Sequence, residues 1–112
     1  TVMKGTYLGE FEELVLLTVG ALYPEAYGVA IMDEIKKETG RVVNISAIHS
    51  AMRRLEEKGF VKSFMGGATN ERGGRRKRYF ELTSYGKKAL DDAQSMRMKL
   101  YNRIPDISLG QS

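Results

Sequence analysis

The segment at residues 66–74 constrains the fold of this chain more than any other feature. Four of its nine residues are glycine, and the β-favouring stretches 60–65 and 75–82 flank it on either side. A glycine-rich connection between two such stretches predicts a β-hairpin. Glycine pairs also occur in phosphate-binding loops, but this segment lacks the strand-to-helix context and the lysine placement of such a loop. The hairpin is therefore the favoured interpretation.

Two helical segments open the chain. In the first, residues 9–22, five side chains keep the spacing of one helix face: Phe11, Leu14, Val15, Thr18 and Leu22. Leu16, Leu17 and Val19 lie off this stripe, so the helix is apolar over most of its circumference and needs cover on two sides. A partner subunit is one source of that cover. The second segment, residues 27–39, ends at Gly40, and a connector or stub strand follows at residues 41–45.

A third helix is predicted between Ser46 and Gly59. The Ser46 hydroxyl can accept from an orphan backbone N–H, which makes this residue the predicted N-cap. Four residues form the predicted buried stripe: Ile48, Ala51, Met52 and Leu55. Six are predicted to face outward: Ala47, His49, Ser50, Arg53, Arg54 and Glu57. The helix is short, firmly bounded and partly basic.

A long last helix is predicted after the hairpin, from Ser84 to about Ile104, with Thr83 as its cap and Pro105 beyond its end. Four of its residues are spaced as in the seam of a short coiled coil: Ala89, Ala93, Met96 and Leu100. Together with Phe11 and Val15 of the first helix, they form the predicted dimer interface.

This order of elements is typical of a winged helix-turn-helix, a mainly α fold with a small β-hairpin, here extended by the long C-terminal helix. In that fold the third helix enters the DNA major groove and the hairpin, or wing, reaches phosphate or the minor groove. We predict a DNA-binding domain at residues 1–83, a dimerisation helix at 84–104 and a loose tail at 105–112. The predicted DNA-binding residues are Ser46, Ala47, His49, Ser50, Arg53, Arg54, Arg72, Arg75, Arg76, Lys77 and Arg78.

Charge is concentrated in the middle of the chain. Residues 41–88 hold twelve basic and four acidic residues, whereas the remainder holds six basic and ten acidic ones. A basic middle with acidic flanks suggests one face for a polyanion. The alternative is a solvated surface of mixed charge, on which Arg53 and Arg54 pair with Glu56 and Glu57.

Composition excludes several classes of function. The chain has no cysteine and one histidine, so it has no disulfide, thiolate zinc site or multi-histidine metal site. No nucleophile–base pair or nucleotide loop supports an enzyme, and we expect no catalytic residue, metal or cofactor. The longest apolar stretch, residues 14–22, is too short for a membrane span, and no signal-peptide pattern is present. We therefore expect a cytoplasmic protein without a membrane partner.

Four motifs in order resemble the PadR family of bacterial transcriptional regulators, over about residues 4–104. The longest motif is GRRKRYFELTSYGKKAL at residues 74–90, and AIHSAMRRLEEKGF at residues 47–60 is similar to the family's recognition helix. Tyr27-Gly28 and the N-terminal GTYL and ELVL segments complete the resemblance. The chain departs from the family pattern at His49-Ser50, where Tyr-Pro is usual, at Arg76, often Pro, and at Val29-Ala30, where aromatic and acidic residues are usual.

The resemblance implies a homodimer held by the C-terminal helix, with two winged domains on a pseudo-palindromic double-stranded DNA site. It also implies repression that a small molecule relieves, and some short members of the family bind flat aromatic compounds between their subunits. The alternative is a winged-helix protein-interaction module without DNA binding. The basic cluster at residues 75–78 favours DNA.

Overall fold

The computed structural model of the protein describes residues 8–66 and 76–107. This part of the chain folds into helices and one antiparallel hairpin in the order α1 (Glu10–Ala21), α2 (Gly28–Thr39), α3 (Ile45–Glu57), β1 (Val61–Gly66), β2 (Lys77–Leu82) and α4 (Ser84–Tyr101). The predicted order of elements is therefore confirmed. No described helix is both long enough and apolar enough to cross a membrane.

The core lies between α1, α2, α3 and the base of the hairpin. From α1 it receives Val15, Leu16 and Val19, all fully buried. Leu16 and Val19, which lie off the predicted stripe, are thus buried as well, in agreement with the expectation that this helix needs cover on two sides. Because α2, α3 and β2 all pack against α1, the chain itself covers this side of the helix, while Leu17 stays half exposed. Less of α1 is left for a partner than the sequence suggested.

Helix α3 begins earlier than predicted. The side chain of Asn44 accepts a hydrogen bond from the Ala47 amide at 2.8 Å, so Asn44 is the N-cap, and the prediction of Ser46 was wrong. Asparagine is as favourable as serine at this position, and Ser46 lies exposed in the first turn instead. The connector before Asn44 forms no strand. The predicted buried stripe of Ile48, Ala51, Met52 and Leu55 is confirmed.

The hairpin is anchored to the domain through the loop between α1 and α2. The Phe80 amide donates to the Ala26 carbonyl at 2.8 Å, and Tyr27 pairs with Tyr79 as an isolated bridge. At the far end of β1, a Cβ on Gly66 would lie 1.9 Å from the ring of Tyr79. A side chain there would displace the ring, so the position of the Tyr79 ring over the end of β1 depends on glycine.

Helix α4 packs closely against the domain over its first two turns. The Thr83 hydroxyl accepts from the Gly86 amide at 2.9 Å, which confirms the predicted cap. A Cβ on Gly86 would lie 2.1 Å from the Phe60 carbonyl, so this turn packs directly against backbone. Beyond Leu90, Ala93 alone is partly buried, and the helix ends at Tyr101 rather than Ile104. Most of α4 therefore projects from the domain.

Candidate nucleic-acid interface

The outward face of α3 presents small and polar side chains at its start and a cation one turn later. Ser46, His49 and Arg53 are exposed, while Ala47 and Ser50 are half-buried. The Asn44 cap satisfies a backbone donor at the start of the helix, and the apolar stripe fixes its opposite face to the core. These five predicted DNA-binding residues therefore lie on one side of a helix that its cap and its core contacts hold in place.

Gly28 brings the start of α2 close to His49. A Cβ on Gly28 would lie 3.1 Å from the His49 ring and 3.3 Å from the Ile45 side chain. The absence of a side chain at Gly28 therefore lets the imidazole lie against the start of α2. Because His49 is still exposed, it has both a packing contact and a surface open to solvent.

Arg54, a predicted DNA contact, is exposed and also pairs with α1. Its Nε donates to the Glu12 carboxylate of α1 at 2.7 Å, and the Lys58 ammonium donates to the same carboxylate at 2.6 Å. Burial alone would raise the pKa of Glu12, but the hydrogen bonds and positive charges of Lys58 and Arg54 outweigh it and lower that pKa below 4.5. Arg54 therefore ties α3 to α1, and its partner is not the neighbouring Glu56 or Glu57.

A cleft of about 370 Å³ separates α3 from β2 and is lined by His49, Met52, Arg53, Glu56, Arg78 and Phe80. Within it, the Arg78 Nε donates to the Ser63 hydroxyl at 3.2 Å, and that hydroxyl donates to Glu56 at 2.8 Å. This chain of hydrogen bonds joins the wing to the recognition helix. Arg53 and Arg78 lie on the two sides of the same cleft.

The wing carries three of the predicted basic residues within the described part of the chain. Arg76 is exposed and directly precedes β2. The Lys77 ammonium lies 4.2 Å from the centre of the Tyr27 ring. The Tyr79 ring meets the Tyr27 ring edge-on and stacks on Phe64, which supports that position. Arg72 and Arg75 lie outside the residues that the structure describes.

The predicted dimer residues divide into buried and exposed groups. Val15 is fully buried among its own subunit's side chains, so its assignment to a partner contact was wrong. Phe11 is half-buried beneath the Arg41 guanidinium, 5.1 Å from the ring centre. On α4, Ala89 and Ala93 are half-buried, while Met96 and Leu100 are 51% and 53% exposed.

Comparison with known proteins identifies the family. The sequence model of the transcriptional regulator PadR-like family matches residues 15–92, most of the chain. This chain belongs to the PadR-like family. The resemblance that the sequence motifs indicate is therefore confirmed, and so is the expectation of a regulator rather than an enzyme. No curated protein matches the sequence.

Solved structures show the same PadR-like fold. A PadR family transcription regulator from Clostridium difficile R20291 has a TM-score of 0.70 at 21% identity, covering 84% of this chain and 93% of that one. A transcriptional regulator from Clostridium thermocellum has a TM-score of 0.64 at 22% identity, covering 95% and 100%. Bacillus subtilis PadR, in complex with operator DNA, has a TM-score of 0.62 at 20% identity, covering 92% and 52%. These similarities confirm the winged-helix architecture.

Sequence reasoning missed several residues that shape this PadR-like site. Glu12 carried a detectable signal, because it precedes Val15, Leu16 and Val19 by three, four and seven residues and so shares their buried face. A carboxylate on a buried face requires a cationic partner. Ser63 carried no such signal, since its contacts depend on the strand register and on the distance between hairpin and helix.

Proposed function

We propose that this PadR-like chain is a homodimeric repressor that binds a pseudo-palindromic site in double-stranded DNA. The observation that carries the proposal is that exposed residues of α3 and of the wing flank one cleft, with Arg53 on one side and Arg78 on the other. A groove-reading helix beside a basic hairpin is the arrangement by which winged helices engage a duplex. The operator complex of Bacillus subtilis PadR supports this choice of ligand.

The helix and the wing have different roles in this proposal. On α3, the exposed or half-buried Ser46, Ala47, His49, Ser50 and Arg53 contact base edges in the major groove. On the wing, Arg76, Lys77 and Arg78, with Arg72 and Arg75 of the same predicted cluster, contact phosphate or the minor groove. Sequence discrimination comes from the helix and electrostatic attraction from the wing.

The second copy of the chain covers the projecting part of α4. Met96, Met98, Leu100, Tyr101 and Ile104 are all about half exposed or more, and they are apolar or largely so. Removing such apolar side chains from water is favourable at roughly 25 cal/mol per Å². The winged domain at residues 1–83 and the C-terminal segment at 84–104, which contains α4, then have separate roles, one on DNA and one in dimerisation.

A small aromatic effector fits beside α4. A cleft of about 520 Å³ there has an apolar lining that includes Leu8, Phe60, Tyr85, Ala89, Ala93 and Met96. Its volume suits a drug-sized ligand, and a methionine side chain adapts to varied apolar shapes. A ligand in this cleft shifts DNA affinity only if it binds the two dimer arrangements unequally.

Fluorescence anisotropy tests the proposal. The ligands are a duplex that the protein selects from a random pool and an unrelated duplex of equal length, each at several salt concentrations. Arg76→Ala should lower the affinity for both duplexes about equally. It should also lower the slope of log affinity against log salt by roughly one. His49→Ala or Ser50→Ala should instead reduce the difference in binding free energy between the selected and the unrelated duplex by about 1–3 kcal/mol.

Two outcomes would reject parts of this proposal. Full affinity and an unchanged salt slope in Arg76→Ala would show that the wing does not contact DNA through Arg76. Failure of the unmodified chain to bind either duplex would instead favour the protein-interaction alternative. Sedimentation at micromolar concentration should give about twice the chain mass of 12.6 kDa. A stable monomer there would reject the dimer.

A further inference from the structure

Two consecutive carboxylates of α1 hold two different helices. Glu12 accepts hydrogen bonds from Arg54 and Lys58 of α3, whereas Glu13 forms an ion pair with Arg97 of α4. Successive residues on a helix point about 100° apart, so neighbouring side chains face different elements. Both carboxylates are buried and lie in the first turn of α1, where the helix dipole favours negative charge.

The Glu13–Arg97 ion pair acts where α4 has few other contacts with the domain. Beyond Leu90, the described residues of α4 are exposed except for Ala93, so this part of the helix has little packing to set its direction. The ion pair fixes a point about two turns past Leu90 to the buried start of α1. In a dimeric DNA-binding protein, the direction of the dimerisation helix sets the distance between the two recognition helices.

We propose that Glu12 and Glu13 are positioning residues that couple the direction of α4 to the position of α3. This inference rests on the proposed DNA-binding function, since it describes how the recognition helices are placed. A change in α4 acts on Glu13 through Arg97, moves the rigid first turn of α1, and reaches α3 through Glu12. Glu13 and Arg97 also line the cleft beside α4, so a molecule bound there would lie against one end of this connection.

Amide hydrogen exchange on the full chain, without DNA, tests the coupling. The reporters are the amides of Lys58 and Phe60, which donate to the carbonyls of Arg54 and Leu55 at 3.0 and 2.9 Å and so follow the end of α3. Glu13→Gln should accelerate their exchange roughly two- to fivefold, because it removes the charge that holds Arg97. The amide of Ile31 in α2, bonded to Tyr27, serves as the reference for global unfolding.

The decisive measurement repeats Glu13→Gln in a Glu12→Gln background. If the two carboxylates act in series, the second substitution adds no further acceleration at the α3 reporters, because the connection is already broken. A purely stabilising role of Glu13 would give the same acceleration in both backgrounds, and that result would overturn the proposal. So would unchanged exchange in the single Glu13→Gln variant. Arg97→Gln should reproduce the pattern from the other partner.

A matched control and a DNA measurement complete the test. Asp91→Asn removes the exposed ion pair with Lys87 on the same helix and should leave the α3 reporters unchanged. The same variants, titrated with the selected duplex, should show the same non-additive pattern in affinity. If the unmodified chain binds no DNA, the proposed function fails, while the exchange measurements still decide whether the carboxylates couple the helices.

Discussion

Three cations lie close together at the C-terminal half of α3 and three at the start of β2, and the two groups have different partners. They are Arg53, Arg54 and Lys58 at α3, and Arg76, Lys77 and Arg78 on the wing. On α3, Glu12 binds both Arg54 and Lys58, so one buried carboxylate offsets part of their charge and Arg53 remains exposed. On the wing, the partners of Lys77 and Arg78 are an aromatic ring and a hydroxyl, which are neutral. Lys77 and Arg78 therefore keep their positive charge, whereas Lys62 of β1 pairs with Glu81 of β2. Formal charge read from the sequence overstates what the helix offers to a polyanion.

Under the proposed function, this difference predicts that the wing supplies most of the electrostatic attraction for DNA. Phosphate contacts carry the salt dependence of binding, whereas base contacts carry the sequence preference. A recognition helix with much of its charge paired internally gains less affinity for random DNA, while its small and polar outer residues still discriminate between bases. Each of the four predictions below tests one side of this comparison.

The largest expected effect comes from disturbing the aromatic support of the wing. Gly66→Ala places a Cβ within 1.9 Å of the Tyr79 ring, which must then leave its stack on Phe64. Such overpacking should cost about 1–3 kcal/mol in the free energy of urea unfolding. It should also weaken selected and random duplexes alike, by about tenfold, since several phosphate contacts depend on the wing.

The control for Gly66→Ala is Gly9→Ala. Nothing lies within 4 Å of a Cβ on Gly9, so this change displaces no side chain and should leave the affinity for both duplexes unchanged. It should cost about 0.5–1 kcal/mol in the free energy of unfolding, because alanine is a poorer N-cap than glycine. If Gly66→Ala left both the free energy of urea unfolding and the DNA affinity unchanged, the aromatic support would not determine the position of the wing.

The second prediction concerns the carboxylate that holds α3. Glu12→Gln should lower the free energy of unfolding by about 1–2 kcal/mol at pH 7, because two hydrogen bonds to a charged acceptor are weakened. The figure is reduced from the buried limit because Arg54 is 48% exposed. Glu10→Gln, which affects the exposed pair with Arg41, should change stability by less than about 0.5 kcal/mol.

The effect of Glu12→Gln should depend on pH in one direction. The folded-state pKa of Glu12 lies below that of a glutamate in the unfolded chain, so the ionised group contributes stability that is fully present above the unfolded-state pKa. As pH falls through the folded-state pKa, the carboxylate becomes protonated and this contribution is lost. The difference between the two proteins in urea unfolding should therefore shrink from pH 7 to pH 3. If this difference in the free energy of unfolding stayed constant from pH 7 to pH 3, the ionised carboxylate of Glu12 would not be its cause.

Local signals in the sequence were sufficient to predict the fold. The stripe of α3 follows from spacing within one helix, and the Thr83 cap follows from a residue type beside its own helix. The start of α3 was misplaced because Asn44 and Ser46 are nearly equivalent caps, and only the backbone geometry decides between them.

The candidate site was less predictable because its contacts join distant parts of the chain. Arg54 and Glu12 are 42 residues apart, while the sequence offers Glu56 and Glu57 as nearer partners for the arginine. Helix packing, rather than proximity in sequence, makes the choice. Val15 was misassigned for a related reason: apolar spacing shows that a residue is buried, but not whether its own subunit or a partner buries it.

The third prediction separates two adjacent arginines on α3. Arg53→Ala should weaken the selected duplex by about 1 kcal/mol or more, because this exposed side chain flanks the cleft to the wing. Arg54→Ala should leave DNA affinity within about twofold at 0.15 M salt, where charges beyond roughly 8 Å are screened. It should instead lower the free energy of unfolding by about 0.5–1 kcal/mol. Equal losses of DNA affinity would show that Arg54 leaves Glu12 when DNA binds.

The smallest expected effect tests whether the wing keeps its charge available. Lys77→Gln removes the ammonium that lies 4.2 Å from the Tyr27 ring centre, which should cost only about 0.5 kcal/mol in stability. The charge itself is not neutralised by this contact, so the slope of log affinity against log salt should fall by roughly one on both duplexes. Lys58→Gln is the matched change on α3, where Glu12 already holds the ammonium, and its slope should not fall. The opposite result would be a lower slope in the Lys58 variant and an unchanged slope in the Lys77 variant. It would mean that DNA takes the Lys58 ammonium from Glu12, so the helix rather than the wing would supply the electrostatic attraction.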